Sequence, residues 1–228
     1  MAFVYEYNGQ IAVRKNGKWV GTLESKNAIK GLTVAKTVVG ALSRASKTTD
    51  EAHPQQAIVF SKGHVGAFIG NGWEWPYVFN PKGGAAPASF AKRMGAYPMP
   101  SHISGRYLPT FLGGSDVGIP FSSKNKSLAA DWIKAFTGTA SETLIAKAGN
   151  IANSTKLLNV NAKNPALAPF ARAAKYSWFV PAAPNWVNVE SSNLLKTMCS
   201  SILTNRASIK SATTKADSQI NKILNAKS

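Results

Sequence analysis

The sequence predicts an α/β fold. Three observations carry that prediction: Asn-Gly dipeptides set among β-forming residues near the start, apolar residues at helical spacing over much of the remainder, and an apolar run at residues 65–69 closed by Gly70-Asn71-Gly72. With 228 residues, 44% of them hydrophobic, the chain can build one substantial domain or two small lobes, which excludes disorder over most of its length.

Residues 3–23 mix β-formers with Asn8-Gly9 and Asn16-Gly17, dipeptides that tolerate the positive φ of hairpin turns, so short strands are expected at 10–14 and 18–21. Ala28, Ile29, Leu32, Ala35, Val38, Val39 and Leu42 then recur at helical spacing behind Ser25, an N-cap residue, and predict a helix over 26–43. Pro54 suits the first turn of a short second helix whose buried side is residues 57–60. Residues 65–69 read as a buried strand whose glycine-flanked end presents Trp73-Glu74-Trp75.

The Pro- and Gly-rich stretch 81–109 reads as connecting structure, with extended pieces at 95–99 and 107–112. A strand through Val117 and Ile119 is expected to lead to a helix carrying Leu128, Ala129, Trp132, Ile133 and Phe136, with Trp132 in the core. Thr139 and Glu142 have capping-box spacing for the next helix, and Gly149 fits its stop. Pro165 suits the start of a helix ending near Tyr176, and two amphipathic helices, 186–203 and 208–224, close the chain. Trp19 is expected to pack on the hairpin, and Trp178 in a core or lobe contact.

No window of about eighteen apolar residues occurs, so no helix is expected to span a bilayer and a soluble chain is anticipated. The first residues lack the basic and apolar regions of an export signal. Cys199 is the single cysteine, which excludes an internal disulfide framework and a cysteine-rich metal site, and no amino-terminal lipid anchor is expected on this chain. His53, His64 and His102 show no ligand spacing, so no metal is expected, and no motif calls for a cofactor. No Gly-x-Ser-x-Gly elbow and no phosphate loop are present.

Among the ten acidic residues Glu74, Asp116 and Glu190 are the candidates for a carboxylate pair of the kind that hydrolyses glycosides, but spacing alone does not bring them together. Each also has a plain structural role open to it, as a first-turn acid, a turn residue and a lysine partner. The aromatic pattern is more informative. Trp73, Trp75 and Trp186 fall where Gly, Pro and Asn mark exposed turns or helix starts. A sugar offers a C–H face rimmed by hydroxyls, so flat aromatic platforms combined with short polar groups such as Asn71, Ser115, Asp116 and Glu190 suit it.

The charge is lopsided, with 27 Lys and Arg against 10 Asp and Glu for a formal net charge of +17. Such a field attracts polyanions, yet the basic residues are scattered, with no run of five or six. A cell-wall polymer, nucleic acid or acidic headgroup is therefore a second candidate partner, and its binding would weaken as salt rises.

Taken in order, several segments resemble the carboxy-terminal portion of extracellular solute-binding proteins of sugar ABC transporters, the family that includes maltose-binding protein. The segments are Asn16-Gly17-Lys18-Trp19; Ala57-Ile58-Val59-Phe60-Ser61-Lys62-Gly63 with Val65-Gly66-Ala67-Phe68-Ile69-Gly70-Asn71-Gly72-Trp73; Phe111-Leu112-Gly113-Gly114-Ser115-Asp116-Val117-Gly118-Ile119-Pro120; Ser123-Lys124-Asn125-Lys126 with Ala129-Ala130-Asp131-Trp132-Ile133-Lys134; and Pro184-Asn185-Trp186-Val187-Asn188-Val189-Glu190. The likeness runs over nearly the whole chain.

The resemblance implies a periplasmic-binding-protein-like type II fold, incomplete because the family's members are considerably longer. Residues 1–111 would belong to the carboxy-terminal lobe, 112–160 would pack on the amino-terminal lobe, and 161–228 would supply carboxy-terminal-lobe helices. It implies a non-catalytic, secreted or cell-envelope protein that binds an oligosaccharide for an ABC permease. Asn71, Trp73, Glu74, Trp75, Gly114, Ser115, Asp116, Trp186 and Glu190 would contact the ligand, with the indoles at 73 and 186 facing one groove. The apolar face of 112–159 would need a cover, from a homodimer or a companion chain. The alternative is a basic interaction protein on the same fold, binding an anionic polymer with the transport role lost.

Overall fold

The computed structural model describes residues 1–48 and 55–226; Pro54 and His53 lie outside that range. Helix α1 (Ala2–Glu6) precedes the hairpin β1 (Ala12–Lys15) and β2 (Lys18–Gly21), which leads into α2 (Lys26–Leu42). Short helices α3 (Gln56–Ser61) and α4 (Glu74–Tyr77) come before β3 (Thr110–Phe111). Then follow α5 (Lys126–Phe136), α6 (Thr139–Lys147), α7 (Leu158–Ala162) and α8 (Ala168–Ala173). Strand β4 (Ser177–Trp178) leads to α9 (Trp186–Ser191), α10 (Leu194–Leu203) and α11 (Ile209–Leu224). The chain divides into two compact units, the first made of Met1–Thr49, Pro100–Leu112 and Ser177–Ser228, the second of Asp50–Met99 and Gly113–Tyr176.

In the first unit the hairpin forms where the Asn-Gly signal places it. Asn16 and Gly17 both have positive φ, 47° and 78°, the geometry of the turn that matches strand twist, and they set Lys15 opposite Lys18 and Val13 opposite Val20. Asn8-Gly9 does a different job. Asn8 (φ 58°) ends α1, a helix that the β-forming residues around it had hidden.

Helix α2 matches its prediction, with the Ser25 hydroxyl accepting from the Ala28 N–H at 3.3 Å. Helix α1 lies against it at Gly31, where a side chain would collide with the Phe3 carbonyl. Val4, Leu23, Leu32, Met198, Ile202 and Ile220 from α1, α2, α10, α11 and the loop after β2 form the core, joined by partly buried Trp19. Full burial of such side chains contributes about 1.5–3 kcal/mol apiece.

The edge of β2 is closed by a helix rather than by another strand. Asp217 and Asn221 stand one turn apart on α11, and Asn225 follows one turn on at its C-cap. The Asp217 carboxylate accepts from the Leu23 and Glu24 N–H groups, both at 2.9 Å, and Asn221 Oδ1 from Gly21 N–H at 2.6 Å. Asn225 accepts from Trp19 N–H at 2.9 Å and donates to its carbonyl at 2.8 Å. Three side chains thus satisfy main-chain groups that an edge strand would leave open. The helix expected over 186–203 is broken: Asn193 takes the left-handed conformation (φ 52°), which Asn tolerates better than most residues, and separates α9 from α10.

In the second unit α3 packs Ala57 against Val78 and Ala86, surrounded by Phe60, Phe68, Phe79 and Phe90. The strand expected at 65–69 is absent, and Ile69 is exposed; the same holds for the strand through Val117 and Ile119. Among the described residues no strand lies beside either segment, and an unpaired extended chain has no ladder to stabilise it. Of the extended pieces expected at 95–99 and 107–112, only β3 forms a strand, pairing in parallel with β4 in the first unit.

Helix α5 forms as predicted, but Trp132 is not core. It is 56% exposed and stacks on Phe136 at 5.0 Å, with Leu128 exposed on the turn before, because nothing described covers that face. Nor does the capping box form. Thr139 is already the first helical residue of α6, with Gly138 at the N-cap, and buried Glu142 turns away to accept from Asn153 N–H at 2.9 Å. Gly149 (φ 103°) follows the end of α6 as expected. Asn161 on α7 donates to the carbonyls of Ala146 and Asn150, both at 3.0 Å. The helix expected from Pro165 is shorter; Pro169, not Pro165, occupies the first turn of α8.

Candidate functional site

The second unit carries Asn71, Trp73, Glu74, Trp75, Gly114, Ser115 and Asp116; the first carries Trp186 and Glu190. The turn before α4 sorts its residues sharply. Glu74 is only 2% exposed, and its Oε2 accepts from the Asn71 N–H at 2.7 Å while its own N–H donates to the Asn71 carbonyl at 3.0 Å. Burial pushes the Glu74 carboxyl above its ordinary value, outweighing the hydrogen bonds from the Asn71 backbone and the Gln56 side chain. The carboxyl faces inward, as the clasp of its own turn.

With Glu74 turned in, its neighbour is turned out. Trp73 is 51% exposed and meets Tyr77 edge-on, with ring centroids 6.1 Å apart and planes at 68°. Beneath the turn, Gly72 approaches the Phe170 ring. Trp75 is half-buried and Asn71 exposed. An exposed indole and an exposed amide two residues apart on one turn are groups that suit a sugar ring with hydroxyls at its rim. Gly114, Ser115 and Asp116 are exposed and lie outside helices and strands.

In the first unit Trp186 differs from its expectation as an exposed ring. It opens α9 but is 7% exposed and belongs to the hydrophobic core. One helical turn on, Glu190 is exposed, and its Oε1 accepts from the Trp186 indole N–H at 2.6 Å. The helical spacing does bring these two side chains together, and Glu190 keeps one oxygen outside that bond.

Two arrangements in the first unit have no signature in the sequence. Buried Glu6 Oε1 accepts from the Ser101 hydroxyl, from the His102 N–H at 2.8 Å and lies 2.6 Å from His102 Nδ1. Burial alone would raise its pKa, but these hydrogen bonds and the His102 ring hold the carboxyl below its ordinary value. The His102 ring in turn stacks on Tyr7 at 4.3 Å. Separations of about a hundred residues leave no local trace, so His102 read as solitary. The second arrangement is aromatic: Trp178 stacks on Tyr5 at 4.8 Å and meets Phe111 at 4.9 Å.

Among the described residues no group of three His, Cys, Asp or Glu side chains is placed to hold a metal ion, and no helix is long and apolar enough to cross a membrane.

No family model matches the chain. Over 197 residues it is 30% identical to the diacetylchitobiose binding protein DasA of Streptomyces coelicolor, a match that takes in 86% of this chain and 45% of that protein. Among solved structures it is similar to the sugar-binding protein MalE from Xanthomonas citri, with a TM-score of 0.76 and 15% identity over 97% of this chain and 54% of that one. The maltose-maltodextrin binding protein of Alicyclobacillus acidocaldarius gives a TM-score of 0.72 with 17% identity, over 97% of this chain and 58% of that one. The chain spans about half the length of these relatives. In fold it is an incomplete α/β protein of the type II periplasmic-binding class, and in sequence it is a relative of a diacetylchitobiose binding protein.

Proposed function

We propose that the chain binds an oligosaccharide without chemical turnover, as the substrate-capture component of an ABC sugar importer or a portion of one, outside the cell or in its envelope. The observation that carries this reading is exposed Trp73 with exposed Asn71 on the same turn, clasped from within by Glu74, in a relative of a named diacetylchitobiose binder. Ligand contact then falls to Trp73, Trp75, Asn71 and the short polar run Gly114, Ser115 and Asp116, with the free oxygen of Glu190 as an acceptor in the first unit. Glu74 and Trp186 serve by holding their turn and helix start in place.

Calorimetry and tryptophan fluorescence against chitin-, cellulose- and malto-oligosaccharides test the reading. Saturable binding to one series is expected; no response to any of them from the folded protein overturns it. The exposed apolar side of α5 further supports a second copy or a companion chain as its cover. Analytical ultracentrifugation at micromolar concentration is expected to show association, and a monomer of the isolated chain excludes the homodimer.

A further inference from the structure

We propose that Phe111 is the aromatic platform of the first unit, the ring against which a pyranose of the ligand rests. This deepens the sugar-binding reading and depends on it. Trp186, the indole that the sequence offered for this role, is packed in the core, which leaves the first unit without a platform unless another ring serves.

Phe111 is 52% exposed, so its ring is open to a ligand. It is also held still. Phe111 is an end member of a three-ring cluster in which Trp178 stacks on Tyr5 and meets Phe111 at a tilt of 42°, and each part of that cluster is tied to main chain. Strands β3 and β4 set Phe111 directly opposite Trp178, the Leu112 N–H donates to the Trp178 carbonyl at 2.7 Å, and the Tyr5 hydroxyl donates to the Phe179 carbonyl at 3.1 Å.

A ring fixed in this way loses little freedom when a ligand settles on it, so most of the stacking energy appears as affinity. A flat apolar face of this size fits the C–H side of a pyranose. Phe111 and Trp178 are also the residues next to which the chain leaves and re-enters the first unit, between Leu112 and Gly113 and between Tyr176 and Ser177.

The test uses the 228-residue chain with N,N′-diacetylchitobiose and a malto-oligosaccharide as probes, affinity read by calorimetry and folding by thermal melting. Phe111→Ala is expected to weaken binding by about tenfold with Tm essentially unchanged, and Phe111→Trp, which restores a flat ring, to keep it within about threefold of the original. Undiminished affinity in Phe111→Ala overturns the proposal while sugar binding stands. So does equal loss in Phe111→Trp and Phe111→Ala. If the parent chain binds neither probe nor any other oligosaccharide, the sugar-binding reading falls and this proposal with it.

Discussion

The Asp217 carboxylate of α11 caps the main chain at Leu23, accepting its N–H at 2.9 Å across 194 residues, while its second oxygen takes the Glu24 N–H. This single side chain fixes the last helix to the loop that starts α2, and it is nearly buried. Loss of the carboxylate leaves two donors without a partner. Asp217→Ala is expected to lower stability by about 2–4 kcal/mol, read from urea or thermal unfolding. Burial, more than the neighbouring Glu24 charge, raises the Asp217 pKa, against the hydrogen bonds that lower it. Its titration therefore favours the fold most below the unfolded pKa, and that contribution is lost as pH rises through the folded value.

Glu6 has the opposite sign. Its folded pKa lies below the ordinary glutamate value, so its contribution is present at neutral pH and lost as pH falls through the folded value. Glu6→Gln is expected to melt below the parent chain at pH 7, with the difference shrinking at pH 3. A difference that is constant over that range would show that charge plays no part in the Glu6, Ser101 and His102 cluster.

Gly31 and Gly40 share helix α2 and should respond oppositely to alanine. At Gly31 the new methyl meets the Phe3 carbonyl and lies 2.8 Å from Val4 Cα, so Gly31→Ala is expected to cost about 1–3 kcal/mol. At Gly40 nothing lies within 4 Å, and Gly40→Ala is expected to stabilise by up to about 1 kcal/mol through helix propensity. Paired chemical denaturation curves check both.

Trp73 and Trp186 separate binding from folding. Trp73→Ala removes an exposed ring, so affinity for the responsive sugar should fall about tenfold with little change in Tm. Trp186→Ala empties part of the core and removes the bond to Glu190, and is expected to cost about 3–5 kcal/mol in stability.

The exposed row Leu128, Trp132 and Phe136 predicts surface behaviour rather than stability. A Leu128→Ser, Trp132→Ser double variant is expected to keep its Tm within about 2 °C and to bind less of a hydrophobic dye and self-associate less, by fluorescence and sedimentation.

What the amino-acid sequence determined by itself is what short-range physics controls. Asn16-Gly17 set the hairpin through positive φ, Ser25 and Ser208 started α2 and α11 by capping free N–H groups, and i, i+4 spacing placed Glu190 beside Trp186. Tertiary structure decided the rest, because burial and strand pairing depend on what lies opposite. The run at 65–69 had the composition of a strand but no partner; Trp132 had the spacing of a core residue but no cover; Trp186 had the position of an exposed ring but the first unit closed over it. Asp217 with Leu23, Glu6 with His102 and Phe111 with Trp178 are contacts between distant parts of the chain. Only the packing that brings those parts together gives each side chain its role.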